Sequence, residues 1–155
     1  MLIREVGILF RGYSLVNVKY HETGKDDETD LRSALFIALI NLAETAFSSK
    51  RLHYLDGKKY TIAFVEDTII SKDGIEPEPI YAYVIFDKEK KVEKRIRSII
   101  KPLLKKAIER FIEFYSGKFL SKVAQFREFK EELNSIFGTT TKSMDQKFSE
   151  ILKEK

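Results

Sequence analysis

The sequence contains no cysteine, and this absence removes several kinds of chemistry at once. Without thiols the 155-residue chain has no disulfide framework, no thiolate metal site and no cysteine nucleophile. A reducing cell interior is the simplest setting, although a secreted protein can also lack cysteine. We therefore expect a cytoplasmic protein, with any membrane contact being peripheral.

Histidine is also scarce, since only His21 and His53 occur. Two imidazoles are too few for a histidine-based zinc site, and their positions do not suggest a catalytic triad. The nearest match to a phosphate-binding loop, YSGKF at Tyr115–Phe119, follows a predicted helix instead of a strand and lacks the motif's first glycine and its Ser or Thr. It is better interpreted as a helix C-cap. We expect no catalytic residue, no cofactor and no metal ion.

Long hydrophobic runs are missing as well. The longest, Ala34–Ile40, has seven residues, whereas crossing a bilayer takes roughly 18. Near the start, Arg4 and Glu5 interrupt the apolar residues before a signal-peptide core can form. We expect neither a transmembrane segment nor an export signal.

The residues that are present describe a globular chain, with 43% hydrophobic and 34% charged residues. This length suits one domain with a substantial core. We assign residues 1–138 to that domain. Residues 139–155 are interpreted as a short polar linker and an amphipathic C-terminal tail.

Hydrophobic patterning predicts an α+β fold with a five-stranded antiparallel sheet, the element order β-β-α-β-β-β-α-α, and helices on both faces. The fifth strand, IYAYVIF, is almost continuously apolar, which favours a central position. The predicted strands are Leu2–Phe10, Leu15–Tyr20, Arg51–Leu55, Lys59–Glu66 and Ile80–Phe86.

Three helices complete this prediction. The first lies within Leu31–Phe47, the second begins at Val92 and ends at Gly117, and the third ends at Gly138. Pro102 removes a backbone donor from the second helix, so we expect a kink or a restart near Lys101. Its predicted inward positions are Val92, Ile96, Ile99, Leu103, Ala107, Phe111 and Phe114.

Charge is unevenly distributed along the chain. Residues up to 87 carry 10 Lys and Arg against 14 Asp and Glu, whereas the remainder carries 18 against 10. The excess is concentrated at the start of the second helix and defines a candidate basic face, which is either a binding surface for acidic protein, anionic lipid or nucleic acid, or simply a solvated face. This basic face consists of Lys88, Lys90, Lys91, Lys94, Arg95 and Arg97.

Nucleic acid is the weaker of these partners. Stacking of bases on a sheet needs exposed strand aromatics interleaved with basic residues. Tyr81, Tyr83 and Phe86 have no basic neighbour before Lys88 and are predicted to be core residues.

The first predicted helix carries two apolar ridges, of which a sheet can cover only one. Leu31, Leu35, Ala38, Leu42 and Ala46 form one ridge, and Phe36, Ile40, Ala43 and Phe47 form the other. An uncovered ridge of this kind is typical of an interface. We predict that the second ridge binds another chain. The alternative is that the terminal segment Met144–Leu152 folds over it.

Three stretches, LIREVGILFRGYSLVNVKY, LHYLDGKKYTIAFVED and FIEFYSGKFLSKVAQFREFKEELNSIF, together with the element order, resemble the longin family of profilin-like, SNARE-like domains over about residues 1–138. The last stretch is similar to the C-terminal helices of adaptor-complex small chains. The 17 residues after Gly138 carry no SNARE heptad region. The resemblance implies a fold without catalytic residues.

It also implies a protein–protein interaction module in vesicle trafficking or small-GTPase regulation. The partner would be a small GTPase, another longin- or roadblock-type subunit, or a second copy of the chain, bound through the first helix and a sheet edge. The alternative is a nucleic-acid-binding module that uses the basic second helix.

Overall fold

The computed structural model describes residues 2–21, 52–57 and 59–138 of the chain. Five strands, β1 to β5, precede three α-helices, α1 to α3, in these segments. The strands are β1 (Ile3–Phe10), β2 (Tyr13–Lys19), β3 (Leu52–Asp56), β4 (Tyr60–Ile69) and β5 (Glu78–Asp87). The helices are α1 (Val92–Arg95), α2 (Lys101–Tyr115) and α3 (Phe129–Phe137), with a π-helical segment at Ile96–Ile100 and a 3-10 segment at Val123–Glu128.

The strands form one sheet in the order β2-β1-β5-β4-β3, and all neighbours pair antiparallel. This confirms the predicted α+β fold with a five-stranded antiparallel sheet and the central place of β5. A two-residue turn joins β1 to β2. Its residues Arg11 and Gly12 both have positive φ, at 51° and 84°, the backbone of a type I′ hairpin that glycine adopts without strain.

The α1 helix, the π-helical segment and α2 follow one another without a break from Val92 to Tyr115, and we call them together the long helix. The Lys101 amide donates to the Ile96 carbonyl five residues back, one residue further than in an α-helix. Pro102, which has no N–H to donate, follows directly. The helix therefore changes from π to α geometry at Lys101, where a kink or a restart was predicted, without being interrupted.

The wider π turn shifts the buried positions of the long helix only locally. Ile100 and Leu104 are fully buried, whereas the spacing predicted Ile99 and Leu103, which are only half-buried. Ile96, Ala107 and Phe111 are buried as predicted. Phe114, also predicted to face inward, is exposed. The prediction assumed regular α-helical spacing throughout, and the π turn breaks that regularity.

Every described helix packs on the same face of the sheet. Phe111 lies at the centre of an aromatic group with ring-centroid distances of 4.7 Å to Tyr115, 5.3 Å to Phe126 and 5.2 Å to Phe129. The Tyr20 hydroxyl, at the end of β2, donates to Asn134 Oδ1 of α3 over 2.7 Å. Burial raises the pKa of Tyr20 to about 12.

No helix in residues 59–138 is long and apolar enough to cross a membrane.

The opposite face of the sheet is also buried, and its described members all come from strands. They are Leu9, Ile62, Phe64, Tyr81, Tyr83 and Ile85, with Tyr60 packed against them. The first predicted helix, within residues 31–47, lies outside the described residues, as does the predicted tail, 139–155. Helices on both faces, the boundary after residue 138 and the tail therefore stay predictions.

Candidate functional site

A basic cleft opens where the chain leaves β5 and enters the long helix. It encloses about 720 Å³ and is open to solvent. The turn after β5 and the first turns of the long helix supply its walls, because residues three and four apart on a helix share a face. The lining residues are Lys90, Lys91, Val92, Glu93, Lys94, Arg97 and Ser98.

The structure divides the predicted basic face into two groups. Lys88 and Arg95 are engaged in ion pairs: Lys88 Nζ lies 3.7 Å from Asp56 Oδ2, and Arg95 Nε lies 3.4 Å from Glu89 Oε2. Lys88 also donates to the Gly57 carbonyl over 3.1 Å. Neither residue lines the cleft.

The other four residues of the basic face, Lys90, Lys91, Lys94 and Arg97, all line the cleft. None of these four forms an ion pair with another residue in the described part of the chain. Their charge is therefore not neutralised within the described structure. It is available to a negatively charged group that enters the cleft.

Glu93, the one acidic residue of the cleft lining, is held by the neighbouring strand. The Tyr54 hydroxyl of β3 donates to Glu93 Oε1 over 2.7 Å. This hydrogen bond raises the pKa of the Tyr54 phenol, because the ionised phenolate could not donate it. The contact joins β3 to the cleft.

β3 forms one edge of the described sheet. Tyr54 and Leu55, adjacent on this strand, are 39% and 41% exposed, and they point to opposite faces because side chains alternate along a strand. An edge strand presents backbone groups that can pair with another chain. Tyr54, through its hydrogen bond to Glu93, joins the β3 edge to the basic cleft, whereas Leu55 lies on the other face of the sheet.

Two further features of the long helix lie in the cleft wall. Arg97 and Ser98 belong to the π-helical segment, and such segments are frequent at functional sites. The Ser98 hydroxyl donates to the Lys94 carbonyl over 2.7 Å. Arg97 therefore lines the cleft from a π-helical turn.

The other predicted sites have different outcomes. Phe36, Ile40, Ala43 and Phe47, predicted to bind a partner, lie outside the described residues, so that hypothesis stays untested. The look-alike phosphate loop is a helix C-terminus, as predicted: α2 ends at Tyr115, and Gly117 has a φ of 83°. Among residues 2–21, 52–57 and 59–138, no group of three or more metal-ligating side chains comes together.

Three features of the structure were not predicted from the sequence. The first is the exposed pair Tyr54 and Leu55, and the second is the buried Glu5, whose carboxylate accepts a hydrogen bond from the Tyr83 hydroxyl. The third is an exposed isoleucine, Ile75, in the loop between β4 and β5. A signal existed for Ile75, because an aliphatic residue between a glycine and Glu-Pro is placed in a loop by its neighbours.

No protein-family model matches this sequence, and the comparison with curated proteins gives no match.

Proposed function

We propose that this chain is a non-catalytic interaction module that binds an acidic protein partner on the surface formed by the basic cleft and the β3 edge. The observation that carries the proposal is the segregation of charge. Four basic side chains without ion pairs in the described structure gather in one cleft, beside the exposed side chain of Tyr54.

The two parts of this surface have different roles in binding. Unpaired cations attract an acidic partner over distances of about a Debye length, roughly 8 Å at physiological salt, and so raise the rate of encounter. The Tyr54 ring then supplies contact area on the cleft side, and the backbone of β3 can add a strand from the partner. The resemblance described above suggests the setting, a trafficking-type or small-GTPase-regulating assembly with cytoplasmic location.

A double charge reversal tests the proposal. Lys94→Glu with Arg97→Glu changes the sign of two cleft residues, and both side chains are solvent-exposed, so the fold should persist. The matched control, Lys106→Glu with Lys130→Glu, changes net charge equally at exposed positions outside the cleft. Each variant and the wild type would be immobilised for affinity capture from the native lysate at low and high salt.

We expect wild type and control to retain the same acidic protein and the cleft variant to lose it. With that protein purified, its affinity should fall by about tenfold or more in the cleft variant, and should weaken steeply with salt. Equal retention by all three baits, or binding that is insensitive to salt, would contradict the proposal.

Nucleic acid remains the alternative occupant of the cleft, because its phosphates would also be attracted by these cations. Tyr81, Tyr83 and Phe86 offer it no stacking platform, since they are buried, as predicted. Gel-shift titration of the same three proteins with generic RNA and DNA distinguishes the two occupants. A shift that is lost only in the cleft variant would favour nucleic acid.

A further inference from the structure

A second exposed surface lies at the other end of β5 from the basic cleft. Ile70 and Ile75 belong to the loop between β4 and β5 and are 48% and 103% exposed, and Phe119, in the segment after α2, is 41% exposed. We call these three residues the apical patch. An exposure of 103% means that Ile75 touches essentially nothing in the protein.

The two loops that carry the apical patch are joined by backbone hydrogen bonds. The Gly117 amide donates to the Ile70 carbonyl over 2.6 Å, and the Lys72 amide donates to the Lys118 carbonyl over 2.9 Å. Lys72 Nζ lies 5.0 Å from the centroid of the Phe119 ring. The segments around Ile70 and Phe119 are therefore adjacent, and Ile75 protrudes from the same loop as Ile70.

The loop that displays Ile75 is fixed by a network of charged and polar groups. Arg11, in the β1–β2 turn, donates to Glu78 over 2.9 Å and 2.7 Å and to Asp73 over 3.3 Å and 3.4 Å. Asp73 also accepts a hydrogen bond from the Ser71 hydroxyl, and the Gly74 amide donates to the Ser71 carbonyl over 3.0 Å. An apolar side chain held out in this way is preorganised for contact, since little ordering cost remains on binding.

Positive charge lies beside Phe119 in the apical patch, where Lys72 and Lys118 supply it. Near Ile75 the single charge of Arg11 pairs with both Asp73 and Glu78, so these three residues keep one net negative charge. Lys72 and Lys118 form no ion pair with other described residues. Among the acids of the loop, only Glu76 is exposed with no ion pair in the described structure. Protruding apolar residues flanked by lysines match the interface of an anionic bilayer, where apolar groups enter the acyl boundary and ammonium groups lie near lipid phosphates.

We propose that the apical patch is a membrane-docking tip. Ile75 and Phe119 insert into the surface of an anionic lipid bilayer, while Lys72 and Lys118 contact its phosphate groups. The proposal does not depend on the partner of the basic cleft, because its residues and its ligand are different.

The absence of tryptophan from the chain allows a direct test. An Ile75→Trp variant of the full chain has a single indole at the tip of the patch, and Leu55→Trp places one at the β3 edge as a control. With vesicles of phosphatidylcholine containing about a third phosphatidylserine, the emission of the Ile75→Trp variant should shift to the blue. Leu55→Trp should not shift, and neither variant should shift with pure phosphatidylcholine vesicles.

Flotation with the same vesicles measures the contribution of each group. Ile75→Ser should reduce the bound fraction by about tenfold, since it removes a whole aliphatic side chain from the bilayer contact. Lys72→Glu with Lys118→Glu should reduce it further, whereas Glu76→Lys should increase it. The charge-matched control, Lys106→Glu with Lys130→Glu, should float like wild type.

Three results would overturn the proposal. The first is no emission shift of the Ile75→Trp variant with anionic vesicles. The second is vesicle binding that survives Ile75→Ser and is lost in the Lys94→Glu, Arg97→Glu variant, because the membrane contact would then belong to the basic cleft. The third is no vesicle binding at all, with Ile75→Ser instead weakening a captured protein, because the patch would then dock a protein.

Discussion

Gly7 of β1 lies opposite Tyr83 of β5 in a space that admits no further atom. A Cβ at this position would lie 2.6 Å from Tyr83 Cε1 and 2.7 Å from the Val16 carbonyl oxygen. The Tyr83 ring is buried and its hydroxyl is hydrogen-bonded to the Glu5 carboxylate, so the ring cannot easily move away. This glycine is therefore required for close packing of backbone and ring.

Gly7→Ala should consequently destabilise the protein by about 1–3 kcal/mol, the usual cost of overpacking a core. Chemical denaturation monitored by circular dichroism measures the free energy of unfolding. Gly12→Ala is the control, because it meets nothing within 4 Å and strains only its own backbone at a φ of 84°. Gly7→Ala should alter the near-ultraviolet signal of the buried tyrosine, and Gly12→Ala should not. Wild-type stability of Gly7→Ala would contradict this account.

At the scale of elements, Arg11 fastens the β1–β2 turn to the β4–β5 loop. A hydrogen bond from Arg11 lowers the pKa of Glu78, and hydrogen bonds from Ser71 and then Arg11 lower the pKa of Asp73. A carboxyl whose pKa is lower in the folded state stabilises that state above its unfolded pKa. The stabilisation is lost as the pH falls through the folded value.

Arg11→Gln should therefore melt below wild type at neutral pH, by no more than a few degrees because the network is exposed. The difference in melting temperature between the two proteins should have its full size above pH 4.5, the ordinary pKa of Glu78. It should shrink at pH values below 3.8, the ordinary pKa of Asp73. Thermal melts of both proteins from pH 7 to strongly acidic pH measure this. A melting difference that stays constant over the whole range would show that Arg11 acts by packing alone.

Local patterns predicted most of the elements, because strand and helix periodicity depend on neighbouring residues. The β5 sequence is apolar on both sides, and it lies at the centre of the sheet as expected. Ile96, Ala107 and Phe111 of the long helix are buried as predicted, but the buried positions next to the π turn were predicted less well. Only packing against the sheet settles how such a turn is accommodated.

The ion pairs around the candidate site could not be predicted from local sequence patterns either. The basic residues could be read directly from the sequence, but their pairing could not. Lys88 is neutralised by Asp56, which is 32 positions away in the sequence. Arg11 reaches Asp73 and Glu78 across 62 and 67 positions. Ion pairs of this kind depend on how the sheet is assembled, and sequence periodicity contains no information about them.

At the scale of the whole molecule, the two proposed surfaces lie at opposite ends of β5. This strand has ten residues, which corresponds to about 33 Å. The basic cleft follows its last residue, Asp87, and the apical patch precedes its first, Glu78. A partner in the cleft and a membrane at the patch could therefore be bound together. Because the sites are far apart and share no residue, their binding free energies should add.

The apolar ridge of the first predicted helix gives a last prediction for the whole chain. On the face of the sheet opposite to the described helices, the strand side chains are already buried, Phe64 and Tyr83 completely. One ridge of a helix is enough to cover such a face. The second ridge, with Phe36 and Ile40, is then expected to need a further cover. Leaving such side chains in water costs roughly 1.5–3 kcal/mol each.

Size-exclusion chromatography with light scattering should therefore find the full chain as a dimer, or as a monomer whose cover is its own tail. Phe36→Glu with Ile40→Glu should convert a dimer to monomer, because two charges would be buried in the interface. If the tail is the cover, deletion of residues 139–155 should make a monomeric protein associate. Monomers both with and without the tail would show that no cover is needed and would refute the ridge as an interface.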